Sequence, residues 1–122
     1  MIEDFSQEQI ANITEKLMQA SHCEHIMMID KKGQIVMHNF SDENSAQKIK
    51  ILTRESIRLS NKFSRECRAG KHKNILLEGD FGKILIAAGP IRGCSTAITG
   101  TKLMNTGMLH ALLEESRAKL TN

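Results

Sequence analysis

The chain has no tryptophan and no tyrosine, and only four phenylalanines among its 122 residues. Single-stranded nucleic acids are usually gripped by stacking bases on aromatic rings, so this composition disfavours that class of function. It also leaves the core to aliphatic side chains, with seven methionines to fill irregular gaps. Proline occurs once, at Pro90. With no Pro-rich linker, internal repeat or low-complexity run, residues 1–122 read as a single domain. The three cysteines, Cys23, Cys67 and Cys94, are odd in number and widely spaced. That pattern is not a disulfide framework and suits a reducing, cytoplasmic setting. No apolar run reaches the roughly 18 residues that indicate a membrane span. The N-terminus is acidic and amphipathic and does not resemble a signal peptide.

What is present is ordinary globular material, 40% apolar and 25% charged. A chain of this length can bury a core without metal or disulfides. The net charge of +3 says little about partners by itself; its distribution says more.

Ser6 to about Ser21 reads as a helix. Ser6 and Gln9 make a capping box, Glu8 falls in the first turn where negative charge is favoured, and Ile10, Ile13 and Leu17 follow at helical spacing. His25–Asp30 and Gln34–Phe40 read as strands joined by the tight turn Lys31-Lys32-Gly33, with Gly33 supplying a positive φ. Ile26 to Ile29 are apolar at successive positions, as in a strand covered on both faces. Ser41 to about Ala69 reads as one long helix, capped by Ser41 or Asp42 and ended by Gly70. Along it Ile49, Leu52, Ser56, Leu59, Phe63 and Cys67 recur by threes and fours on one face, with Ile51 and Ile57 to the side. Such a helix is about 40 Å long at 1.5 Å per residue, more than a small sheet needs for cover.

Beyond the basic turn Lys71-His72-Lys73 come three strands, Asn74–Glu78, Lys83–Ala88 and Cys94–Thr99. Gly79-Asp80-Phe81-Gly82 is a turn between the first two. A closing helix runs from about Asn105 to Leu120, with Met108, Leu109, Leu112, Leu113 and Leu120 on its apolar side. The order α-β-β-α-β-β-β-α implies an α/β (α+β) fold. Its five-stranded, mostly antiparallel sheet would carry the long helix on one face and the terminal helices on the other.

This order, together with the hairpin Ile26-Met27-Met28-Ile29-Asp30-Lys31-Lys32-Gly33-Gln34-Ile35-Val36, resembles the Roadblock (dynein light chain) family over nearly the whole chain. The region Leu103 to Leu120 resembles that family's closing helix. Asp-x-x-Gly hairpins also occur in PAS, GAF and profilin-like domains. The unbroken middle helix favours Roadblock over PAS, and the shortage of aromatics disfavours a PAS-type cofactor pocket. The resemblance implies a dimer that joins through the middle helix and the edge strand after it. The pair is a homodimer, or a heterodimer with a second Roadblock protein. It further implies a non-catalytic scaffold or regulator, whose usual partner in prokaryotes is a small Ras-like GTPase. No catalytic residue and no cofactor come with it. Two other readings are a structural subunit of a larger motor or scaffold complex, and a PAS- or GAF-like small-molecule sensor.

The residues support pairing on their own. Asn74–Glu78 reads as an edge strand in which Ile75, Leu76 and Leu77 are consecutive and no proline or central charge blunts the edge. Leu59, Phe63, Ile75 and Leu77 are therefore the expected dimer-seam residues. The long helix also carries Lys50, Arg54, Arg58, Lys62 and Arg65 on one face. From Asp42 to Lys73 there are nine Lys or Arg against four Asp or Glu. A solvated helix face explains such a stripe, and so does docking of an acidic partner surface. On the second reading Arg54, Arg58, Lys62 and Arg65 contact the partner. Nucleic-acid phosphates fit the stripe less well, since no helix-turn-helix or zinc finger accompanies it.

Three further patterns are weak. His22-Cys23-Glu24-His25 lacks a second ligand pair at zinc-like spacing, so no metal is expected. Gly79-Asp80-Phe81-Gly82-Lys83 lacks the spacer and ending of a phosphate-binding loop, and with no Walker motif the chain would not itself bind GTP. Gly93-Cys94-Ser95-Thr96 is not a nucleophile elbow.

Overall fold

The computed structural model describes residues 7–19, 22–70, 74–91 and 93–120. Its elements are α1 (Gln7–Met18), β1 (Cys23–Ile29), β2 (Ile35–His38), α2 (Glu43–Glu66), β3 (Asn74–Glu78), β4 (Gly82–Ile91), β5 (Cys94–Thr101) and α3 (Thr106–Leu120). This is the order expected from the sequence. Ser6 of the expected capping box and the basic turn Lys71–Lys73 lie outside the described residues.

The five strands form one sheet in the order β2-β1-β5-β4-β3, antiparallel throughout. The strands that read as apolar on both faces are interior ones. β1 is flanked by β2 and β5, and β4 by β5 and β3. On one face Ile26, Met28, Leu85, Ala87, Cys94 and Ile98 pack with Leu17 of α1 and with Leu109 and Leu113 of α3. On the other, Met27 and Ile29 pack under Ala46 of α2, with Ile35, Phe40 and Ile49 around them. Each large aliphatic side chain fully removed from water contributes roughly 1.5–3 kcal/mol, so these two layers hold the fold. Lys16 of α1 and Glu115 of α3 meet at 3.0 Å across the outside of the terminal helices.

The first hairpin shows why Gly33 is glycine: its φ is +88°. The Asp30 carboxylate accepts the backbone N–H groups of Lys32 and Gln34, both at 2.9 Å, and its carbonyl accepts that of Gly33 at 3.0 Å. That is the local bonding by which Asp favours turns. Asp42 caps α2, accepting from the Asn44 N–H at 3.1 Å and from the Ser45 hydroxyl at 3.0 Å. The helix ends where Arg68 turns left-handed at φ +55°, two residues before Gly70 at φ +83°.

One expectation needs correction. β4 continues through Pro90 to Ile91, past the expected Ala88. Its pairing with β3 stops at Ala87, and its register with β5 is irregular between Ala87 and Ile91. The missing proline N–H is therefore not needed by a regular ladder. Which side of α2 meets the sheet was left open by the sequence. Ala46 and Thr53 are its buried residues, and Ile49 is half-buried against the core. Leu52, Leu59 and Phe63 are exposed, so they are not on the sheet-facing line.

Candidate functional site

At 3.6 residues per turn, α2 carries three longitudinal lines. Ala46, Ile49, Thr53 and Ile57 face the sheet and are buried or half-buried. Rotated roughly 100° to one side are Leu52, Leu59 and Phe63, which are 60%, 62% and 70% exposed. Rotated by a similar angle to the other side are Arg54, Arg58 and Arg65, with Lys62 close to the outermost ridge; all four are exposed. The helix thus has an apolar flank and a basic flank, and they point in different directions.

The expected seam residues fall on two elements. Leu59 and Phe63 lie on the apolar flank. Ile75 and Leu77 lie on β3, which occupies a sheet edge and, among the described residues, pairs with β4 alone. Their partners in register are Ile86 and Ile84, so these side chains stand on the sheet face that α2 shares. Ile75 is half-buried, Leu77 is 47% exposed and Ile84 is 38% exposed, although Ile84 is in an interior strand. This end of the face is left partly bare by α2.

The basic flank overlooks the opposite end of β4 and β5. There a groove of about 560 Å³ lies between α2 and the strand ends. Its lining includes Lys50, Arg54 and Arg58 from the helix, Lys31 from the first hairpin, Gly93 just before β5 and Ser95 within it. Arg54 rests its guanidinium on Gly33, and Lys31 lays its stem across Gly93, whose φ is +79°. Arg58 donates to Glu55 through Nη2 at 2.6 Å and Nε at 3.2 Å. That pairing holds the Glu55 carboxyl below its usual range and the guanidinium of Arg58 above its own. Both side chains are exposed, so the pair is a weak source of stability. A second hollow, lined by Arg58, Asn61, Lys62, Arg65 and Gly70, continues along the helix.

Lys31, Gly93 and Ser95 were read in the sequence only as parts of local patterns and were not linked to the basic stripe. Each is ordinary in its local context, and only the meeting of two turns beneath α2 brings them to the stripe. The cysteines stand apart. Cys67 is exposed at the end of α2, while Cys23 and Cys94 sit at opposite ends of the β1–β5 pairing. Burial pushes both of the latter thiols up, with Asp30 adding to the effect at Cys94. Among the described residues no helix is long and apolar enough to cross a membrane.

No protein-family model and no curated protein sequence matches the chain. Solved structures do. A Roadblock/LC7 domain from Streptomyces avermitilis superposes with a TM-score of 0.71 at 15% identity, covering 89% of this chain and 94% of its own. MglB from Myxococcus xanthus gives 0.78 at 14% identity, covering 98% and 95%. The gliding protein MglB from Thermus thermophilus gives 0.79 at 9% identity, covering 98% and 93%. At such identities the likeness is one of fold, and the fold of this chain is of the Roadblock type.

Proposed function

We propose that two copies of this chain pair through the apolar flank of α2 and the free edge of β3, and that the pair is a non-catalytic platform for a small Ras-like GTPase in the cytoplasm. The observation that carries this reading is the exposure of Leu59 and Phe63 on the helix whose underlying sheet face ends in an unpaired edge strand. Exposed large apolar side chains grouped in this way mark interaction surfaces. An unpaired edge supplies main-chain donors and acceptors in register. A Roadblock-type fold supports the same reading, because the family is one of dimeric, non-catalytic platforms. On this geometry the basic flank faces away from the seam. Arg54, Arg58, Lys62 and Arg65 are then free in each copy to steer and orient an acidic partner surface.

Light scattering at micromolar concentration in low and high salt tests the pairing. A stable mass near twice 13.7 kDa is expected. A strict monomer that pairs only on mixing with a second Roadblock protein would replace the homodimer by a heterodimer, and a monomer under all conditions would sink the reading. The partner assignment is tested separately, by capture of small GTPases on the immobilised chain. Reversing Arg54, Arg58, Lys62 and Arg65 to Glu should abolish the captured signal while leaving the mass unchanged.

A further inference from the structure

The groove on the basic flank has features that a solvated charge stripe does not need. Its cations come from two elements distant in sequence, Lys31 from the first hairpin and Lys50, Arg54 and Arg58 from α2. Two carboxylates share the lining, Asp30 and Glu55, and both are already engaged. Asp30 accepts the turn amides of Lys32 and Gln34, and Glu55 accepts from Arg58. Among the described residues Lys31, Lys50 and Arg54 make no direct ion pair, although the charge of Arg54 helps hold the Glu55 carboxyl down. The groove therefore holds an excess of positive charge.

Two of these cations lie directly against turns. A side chain at Gly33 would collide with the Arg54 guanidinium, and one at Gly93 would collide with the Lys31 stem. Both glycines have positive φ, so the turns themselves require them. Cations packed onto rigid turns lose less freedom when they meet a ligand. The rest of the lining is mixed. Ile51 and Ile57 provide apolar surface, and Ser95 and Asn61 provide neutral polar groups. Its volume, about 560 Å³, falls within the range of small-molecule sites, and its mouth is open to water.

We propose that this groove binds a small phosphorylated ligand of nucleotide size. A guanidinium meets phosphate oxygens with two parallel hydrogen bonds, and lysine meets them as a point charge. Arg54 takes the first role, Lys31 and Lys50 the second, and the carbon skeleton of the ligand lies against Ile51 and Ile57. Arg54 and Arg58 also belong to the proposed partner surface, so an occupied groove competes with an acidic partner. The binding itself does not depend on pairing or on any partner, and it is read on the chain alone.

The test is calorimetric titration of the full chain at low salt with pyrophosphate and with ADP. Adenosine serves as the uncharged control and a Glu-rich peptide as the carboxylate control. Saturable binding of ADP and pyrophosphate is expected, with no binding of adenosine. Lys31→Gln and Arg54→Gln should each weaken ADP by about tenfold or more, the equivalent of about 1.4 kcal/mol. Lys16→Gln, on α1, should leave it unchanged. Lys31 is exposed in a turn, so its variant keeps the test valid even if Arg54→Gln disturbs the fold. Three outcomes overturn the proposal: no saturable binding of either phosphate compound, affinity indifferent to both groove variants, or tighter binding of the Glu-rich peptide than of ADP through the same residues. The last would assign the groove to an acidic protein segment instead.

Discussion

Arg54, in the middle of α2, rests its guanidinium on Gly33, in the turn of the first hairpin. The contact ties the long helix to a strand connection about 20 residues earlier in the chain. Gly33→Ala meets two penalties at once. Its φ of +88° disfavours any side chain, at a cost of about 1–2 kcal/mol, and the new methyl group displaces Arg54. In the Arg54→Ala background only the first penalty survives. A double-mutant cycle by urea denaturation should therefore give a combined loss smaller than the sum of the single losses.

Thr96 makes a prediction of opposite sign. It is fully buried on the side of β5 that faces α1 and α3, and among the described residues its Oγ1 has no hydrogen-bond partner. Thr96→Val keeps the shape and removes the unsatisfied hydroxyl. Stability should hold or rise by about 1 kcal/mol, seen as a higher urea midpoint with the slope unchanged.

The start of α2 carries a pH dependence. The Phe40 N–H donates to Nδ1 of His38 at 3.1 Å, so Nε2 bears the ring proton and donates to Glu43 at 3.0 Å. The His38 bond, and then the Gln47 bond, hold the Glu43 carboxyl below its usual range. A carboxyl depressed by folding adds stability above the unfolded value, and loses it as pH falls through the folded one. Urea midpoints should fall in that acid window for the native chain, and fall less steeply for Glu43→Gln.

Phe63 separates assembly from folding. At 70% exposure it contributes little to its own chain, so Phe63→Ser should change the monomer's stability by no more than about 0.5 kcal/mol. If the apolar flank is the seam, the same substitution should shift the sedimenting species toward half the mass at micromolar concentration. Unaltered pairing would place the seam elsewhere.

The elements of this fold were legible because their signals are local. The limits of β3 follow from Asn74 to Glu78 lying between the basic sequence Lys71-His72-Lys73 and Gly79, and Asp42 stands where a cap must be. The side of α2 that meets the sheet was harder to read. Periodicity picks out the largest apolar residues, Leu52, Leu59 and Phe63, whereas the sheet-facing line relies on Ala46 and Thr53, small enough to let the helix lie close. α2 carries its bulkiest apolar residues away from the sheet, and no pattern within the helix separates an outward line from a sheet-facing one. The groove was less legible still, since it exists only where the turns at Lys31 and Gly93 arrive under Arg54.

The position of β5 shapes how the chain must fold. β5 is the middle strand, and it joins the β1–β2 hairpin to the β3–β4 hairpin. Cys23 pairs with Gly100, a separation of more than half the chain. Closing so long a loop is entropically slow, and neither hairpin has its neighbour until Cys94–Thr101 has been synthesised. During translation α2 is complete well before the sheet it covers. Over that interval both its sheet-facing line and its apolar flank are open to water. The nascent chain is then at its stickiest, and the rate at which β5 docks sets how long that exposure lasts.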